Sequence, residues 1–153
     1  MSWLELKVPP VIVAALCGLL MWALDVCTHD MYISREVRVT LWSIFMVLAI
    51  TFGVAGVLCF RRHKTTVNPL FPRESSALVT DGVYRATRNP MYFALLCVLF
   101  AWWCYLTNVW SLTGCVLFVL YMNRFQIEPE ERVLASKFGE AFNAYKAEVR
   151  RWI

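Results

Sequence analysis

Residues 89–123 read NPMYFALLCVLFAWWCYLTNVWSLTGCVLFVLYMN, a run without a single Asp, Glu, Lys or Arg. At about 1.5 Å of rise per residue, one straight helix of that length would overshoot the roughly 30 Å of a hydrocarbon core. The run must therefore fold back on itself. The only polar pair near its middle is Thr107-Asn108, which places a tight helical hairpin there, with helices over about 90–106 and 109–124. Working outward, Val8 to Leu24 and Val39 to Phe60 are two more uncharged stretches, each near the roughly 20 residues of a membrane span. The expected fold is thus all-α and integral to the membrane: four transmembrane helices (about 8–24, 39–60, 90–106 and 109–124) in a single domain, 1–153.

Composition agrees. The 153 residues are 59% hydrophobic and 17% charged, against about 25% charged in soluble domains. Disorder is excluded. A net charge of +4 is modest, and the basic residues are not arranged on one solvated face as nucleic-acid binding would need. Lys7 is offset by Glu5 and no small-residue cleavage site follows, so the first stretch reads as an anchor rather than a signal peptide. Basic residues concentrate between the second and third helices (Arg61, Arg62, Lys64, Arg73, Arg85, Arg88) and after Arg124. By the positive-inside rule both segments are cytoplasmic, as are both termini, and the loop from Asp25 to Arg38 is external. A multi-pass protein of a bacterial inner membrane is expected, its bilayer the first partner. Trp102, Trp103 and Trp110 suit interfacial anchoring or an oligomer contact alike, and oligomeric state is left open. The six cysteines lie in or beside the apolar stretches and read as small hydrophobes in helix packing. With only His29 and His63 and no CxxC pair, no metal site is expected.

Two segments carry whatever chemistry there is. In 61–89, Pro69, Pro72, Ser75, Ser76 and Asp81-Gly82 mark a turn-rich loop, with Ala77 to Tyr84 a short strand or extended piece. It runs into Arg88-Asn89-Pro90-Met91-Tyr92, where Asn89 as N-cap and Pro90 at the first helical position would serve merely to start a helix. The second segment opens at Asn123 with Arg124, then Pro129-Glu130-Glu131, whose carboxylates suit a helix N-terminus. It is expected to continue as an amphipathic helix to the C-terminus, with Leu134, Phe138, Ala141, Phe142, Tyr145, Val149 and Trp152 on one face. That helix would lie on the membrane or pack against the loop. A tight hairpin brings both segments to one membrane face, so Arg88, Asn89, Tyr92, Arg124, Glu130 and Glu131 should converge. Charges gathered beside hydrocarbon are by default a site. A zwitterionic nucleoside would suit these groups: carboxylates for ribose hydroxyls or an amine, Arg and Asn for a carboxylate, aromatics for a purine or cation.

The runs TTVNP, LVTDGVYRATRNPMY and RFQIEPEERVL, followed by FG, Tyr145 and RRW, resemble the small integral-membrane methyltransferases that include isoprenylcysteine carboxyl methyltransferases and phospholipid N-methyltransferases. The resemblance covers residues from about Arg61 to the C-terminus. The isoprenylcysteine enzymes typically carry His where Asn89 stands, whereas phospholipid methyltransferase-like members carry Asn.

The resemblance implies methyl transfer dependent on S-adenosylmethionine, held at the cytoplasmic face by elements in 61–92 and 124–153, with an apolar or lipidic acceptor such as an isoprenoid, phospholipid amine or thiol. Cofactor contacts are expected from Tyr84, Arg88, Asn89, Tyr92, Glu130 and Glu131, and orientation of the acceptor from Arg124. No general base stands out. Gly53 and Gly56 in FGVAG are similar to small residues lining the cofactor pocket of the phospholipid enzymes, although close helix packing accounts for them too. Two alternatives stand beside this reading: an NADPH-dependent reductase like the sterol reductases, which have a larger helical bundle, and a non-enzymatic membrane scaffold.

Overall fold

A computed structural model describes residues 5–28, 31–63 and 77–153. Lys64, Arg73, the TTVNP run and the turn residues Pro69, Pro72, Ser75 and Ser76 lie outside these, as does His29.

The described residues form helices joined by turns and irregular segments, with no strand. Helix α1 spans Pro10–Cys27 and α2 spans Arg35–Arg62. Ser34 caps α2, its side chain accepting from the Val37 N–H at 3.5 Å, and Arg61 and Arg62 close it where the helix dipole favours cations. Both helices are long and apolar enough to cross a membrane. Only 22% of the apolar window of α1 and 17% of that of α2 is buried. Leu16, Leu19, Trp22, Ile44, Val47 and Ile50 all point outward. A soluble protein's core helices would be covered, so these faces belong against lipid.

Helix α3 spans Pro90–Leu106, at the expected bounds, and is the hub of the molecule. Its buried residues Tyr92, Leu96, Leu99 and Leu106 join Val13, Met21, Cys115 and Phe118 in the main core. On its other side α2 lies close: Gly53 faces Ala94, and Gly56 faces Pro90 and Met91. Phe45 stacks on Phe100, and Phe52 meets Phe93 edge-on. The FGVAG glycines are therefore packing residues in this structure. So are the cysteines, five of which are buried free thiols.

The hairpin turns where Thr107-Asn108 place it. Thr107 adopts a left-handed conformation (φ 56°), and the buried Asn108 donates from Nδ2 to Thr28 Oγ1 (2.7 Å) and accepts from the Trp110 N–H (2.9 Å). Ser111 Oγ donates to the Met21 carbonyl, tying the turn to α1. Two of the tryptophans are engaged within the chain, Trp102 with the Gly18 carbonyl and Trp103 with that of Asn108, while Trp110 is exposed.

Three local expectations change. Helix α4 begins at Leu112 and does not end at 124: Leu112–Tyr121 runs through a π-helical turn, Met122–Ile127, into α5, Glu128–Phe138. The cause is Pro129, which has no N–H to give to the Phe125 carbonyl one turn back and whose ring crowds that position. The wider turn relieves the clash, and the Leu6 N–H takes the freed Phe125 carbonyl at 3.0 Å. Second, the amphipathic helix does not run to the C-terminus. Gly139 (φ 53°) ends α5, α6 spans Glu140–Glu148, and Val149 turns extended. The stripe itself packs against the loop: Leu134, Phe138, Phe142, Tyr145 and Val149 cluster with Cys59, Phe60, Val79 and Tyr84. Third, the segment from Ala77 forms no strand but leads into a 3-10 turn, Gly82–Arg85. From Asp81 on the backbone bonds locally, the Tyr84 N–H to the Asp81 carbonyl and the Ala86 N–H to the Val83 carbonyl, each at 3.1 Å. His63 and Asp81 tie this turn to the end of α2 at 2.9 Å.

Candidate functional site

The C-terminal tail crosses the start of α3, and the two are joined mainly through the RNPMY run. The Arg88 N–H donates to the Arg150 carbonyl (3.0 Å), and the Arg88 guanidinium to the carbonyls of Lys146 (2.9 Å) and Val149 (2.5 Å). Thr87 Oγ1 and Asn89 Nδ2 both donate to the Arg151 carbonyl, at 3.1 and 3.0 Å. Asn89 thus precedes Pro90 at the N-cap position but makes no side-chain cap. Its amide reaches the tail, so starting a helix does not exhaust its role.

Glu131 lies at the centre. One carboxylate oxygen accepts from Arg88 (2.8 Å) and from Arg151 Nε (3.2 Å), the other from a second Arg151 nitrogen (2.8 Å), with Lys146 Nζ at 3.6 Å. Burial pushes this carboxyl up, but the guanidinium hydrogen bonds of Arg151 and Arg88 outweigh it and hold the group below the usual carboxylate range. Three cations face one carboxylate. Among the described residues the buried Arg88 Nε has no partner.

The neighbouring Glu130 is the electrostatic opposite. Tyr92 Oη donates to Glu130 Oε2 at 2.9 Å and accepts weakly from Gln126 Nε2 at 3.4 Å. Among the described residues no cation offsets its desolvation, so burial, reinforced by the Glu131 charge and only partly opposed by the Tyr92 hydrogen bond, pushes Glu130 up to about 7. Adjacent carboxyls are thereby driven apart in acidity. The structure thus holds, side by side, a fixed anion within a surplus of positive charge and a carboxyl that changes charge near neutrality.

Arg88, Asn89, Tyr92, Glu130 and Glu131 therefore come together. Tyr84 stands at the margin: its ring meets Phe60 edge-on, its carbonyl accepts from Tyr145 Oη (2.7 Å), and burial, aided by the Glu130 charge, raises its phenol pKa. Arg124 is not with them. It pairs with Glu5 (2.9 Å) and Glu128 (3.9 Å) on another face of the π turn. Sequence reasoning assigned no role to Arg151, Lys146 or Gln126. The basic pair Arg150-Arg151, following an acidic pair along the chain, was the signal for Arg151. Nothing marked Gln126, because a π turn sets which face it occupies. Among the described residues no group of His, Cys, Asp and Glu could hold a metal ion.

No solved structure matches this chain. An uncharacterized protein of Haemophilus influenzae is 46% identical over 63 residues, which is 41% of this chain and the whole of that relative. The phospholipid methyltransferase family matches residues 37–141, the span from the start of α2 to the start of α6 that contains Arg88, Asn89, Tyr92, Glu130 and Glu131. The chain belongs to the phospholipid methyltransferase family.

Proposed function

We propose that this protein is a membrane methyltransferase that binds S-adenosylmethionine at the junction of α3, α5 and the tail and methylates an acceptor drawn from the bilayer. The carrying observation is the pairing of two unlike charge environments within one small junction. The residues present fit the cofactor by two tests of this structure. Three cations around one carboxylate, with the buried N–H of Arg88 Nε unpartnered among the described residues, suit a ligand carboxylate. Glu130, which has no cationic partner among the described residues, suits an amine, ribose hydroxyls or developing positive charge nearby.

When bound, the cofactor supplies a methyl group on a sulfonium that becomes a neutral thioether on transfer, and the reaction requires no metal. The protein's share is alignment and a dry setting. Arg88 and Asn89 would hold the carboxylate end. Glu130 and Glu131 would receive the amine or ribose, with Glu131 itself set in place by Arg151. Tyr92 and Tyr84 would contribute aromatic faces beside the sulfonium. In this reading the molecule is one domain of four membrane passes, with the site at the cytoplasmic ends of α3 and α4 and both termini on that side. The water-soluble cofactor enters from the cytosol and the acceptor from the inner leaflet.

Calorimetric titration of the detergent-solubilised protein tests the reading. S-adenosylmethionine should bind, NADPH should not, and Glu130→Gln should weaken S-adenosylmethionine by about tenfold, the loss of one charge-assisted contact. Absence of S-adenosylmethionine binding, or equal affinity in the variant, would refute it.

A further inference from the structure

The π-helical turn carries a buried polar side chain that the methyl-transfer reading leaves without a task. Gln126, 2% exposed, donates from Nε2 to Tyr92 Oη at 3.4 Å, and that hydroxyl donates to Glu130 Oε2 at 2.9 Å. The residues come from separate elements, the π turn, the first turn of α3 and the first turn of α5, and their donors run in one direction. A hydroxyl has a single proton to place. With the Gln126 amide on the lone-pair side of Tyr92 Oη, that proton is directed at the carboxyl, and each bond polarises the next. Among the described residues Glu130 Oε1 accepts no hydrogen bond. One oxygen is thus fixed and the other is left for a ligand.

We infer that Gln126 and the Tyr92 hydroxyl are positioning residues for Glu130: together they hold its carboxylate ready for the positively charged part of the cofactor, so that cofactor binding expels a proton from the site. This rests on the methyl-transfer reading of the same junction. Among the described residues the groups that face Glu130 offer no cation. Glu131 adds negative charge from the same helix, Tyr92 from α3 and Tyr84 from the 3-10 turn bring neutral phenols, and Arg88, Arg151 and Lys146 are turned to Glu131. Without ligand, burial pushes the carboxyl up to about 7, and the Tyr92 bond opposes that rise. A cation at Oε1 supplies the missing charge. The carboxylic proton then leaves to the buffer as the ion pair forms, and no bond of the cofactor changes.

The test uses the full chain in detergent. Calorimetric titration with S-adenosylmethionine at pH 7, in two buffers of unlike ionisation enthalpy, should count about half a proton released per cofactor bound, and Glu130→Gln should release none. Affinity of the parent should fall about tenfold from pH 8 to pH 6. Tyr92→Phe keeps the ring and loses the hydroxyl, so the carboxyl should titrate about one pH unit higher. Its binding should then be about tenfold weaker than the parent's at pH 6 and within about twofold at pH 8.5, whereas a merely structural loss would weaken binding equally at every pH. Gln126→Met should shift the profile in the same direction by about half as much. Infrared titration of the unliganded protein, following the protonated-carboxyl band that Glu130→Gln removes, reads the same midpoints without cofactor. Absence of S-adenosylmethionine binding overturns the methyl-transfer reading itself. Binding without proton release, or infrared midpoints in Tyr92→Phe and Gln126→Met equal to the parent's, overturns this inference alone. If the variants do not fold, the proton count on the parent decides.

Discussion

Replacing Glu130 with Gln keeps the side chain's shape and leaves Tyr92 an acceptor for its hydroxyl, so the substitution removes little but the charge. In the parent, burial places this carboxyl at about 7 instead of the ordinary 4.5. The folded protein therefore holds a proton that the unfolded chain has already released over that range, and stability must fall as pH rises from about 4.5 to 7. At about 1.4 kcal/mol per pH unit the full displacement amounts to roughly 3 kcal/mol. The side of the carboxyl open to solvent reduces this to about 2 kcal/mol. Below pH 5 the two proteins should be equally stable, since both carry a neutral group at this position. Above pH 8 Glu130→Gln should be the more stable by about 2 kcal/mol. Thermal unfolding in one detergent, run in parallel on both proteins from pH 4.5 to 8.5, isolates the effect, because other titrating groups cancel in the difference. A difference that does not change with pH, or that grows toward acid, would refute the assignment of a desolvated, unpaired carboxyl next to Tyr92.

Other perturbations probe the tail and its supports. Arg151→Gln removes two hydrogen bonds from the buried Glu131 carboxylate but leaves Arg88 and Lys146, so a loss of about 2 kcal/mol is expected in the same unfolding assay, together with faster amide exchange in residues 149–153. Gly139→Ala forces a side chain into a backbone conformation (φ 53°, ψ −125°) that only glycine adopts freely, at a cost of about 1–3 kcal/mol, read as earlier proteolytic release of α6. Tyr145→Phe deletes the hydroxyl that reaches the Tyr84 carbonyl, leaves that carbonyl unpaired, and should cost about 1–2 kcal/mol with no change in helix content by circular dichroism.

Much of the architecture could be read without coordinates because hydrocarbon imposes a simple rule on sequence. The uncharged run of 89–123 and the polar pair within it located α3 to the residue and the hairpin turn that follows. The RNPMY and EE elements were likewise visible, and the hairpin argument correctly brought them to one end of the molecule. Local irregularities were not legible. Pro129 signals a disturbed helix, but whether it ends, kinks or widens depends on who takes the orphaned carbonyl, and the taker, Leu6, is far away along the chain.

Sequence alone settled which stretches are apolar, where they turn and which charged residues stand at their ends, since periodicity and charge act over a few neighbours. Tertiary structure decided the partnerships. Glu130 and Glu131 are identical residues side by side, yet one is ringed by Arg88, Arg151 and Lys146 and stays ionised, while the other faces a tyrosine and titrates near neutrality. It also parted Arg124 from that junction and set it at an apolar groove between α1 and α4. Such differences arise from desolvation and from contacts between segments remote in the chain, and no local pattern encodes either.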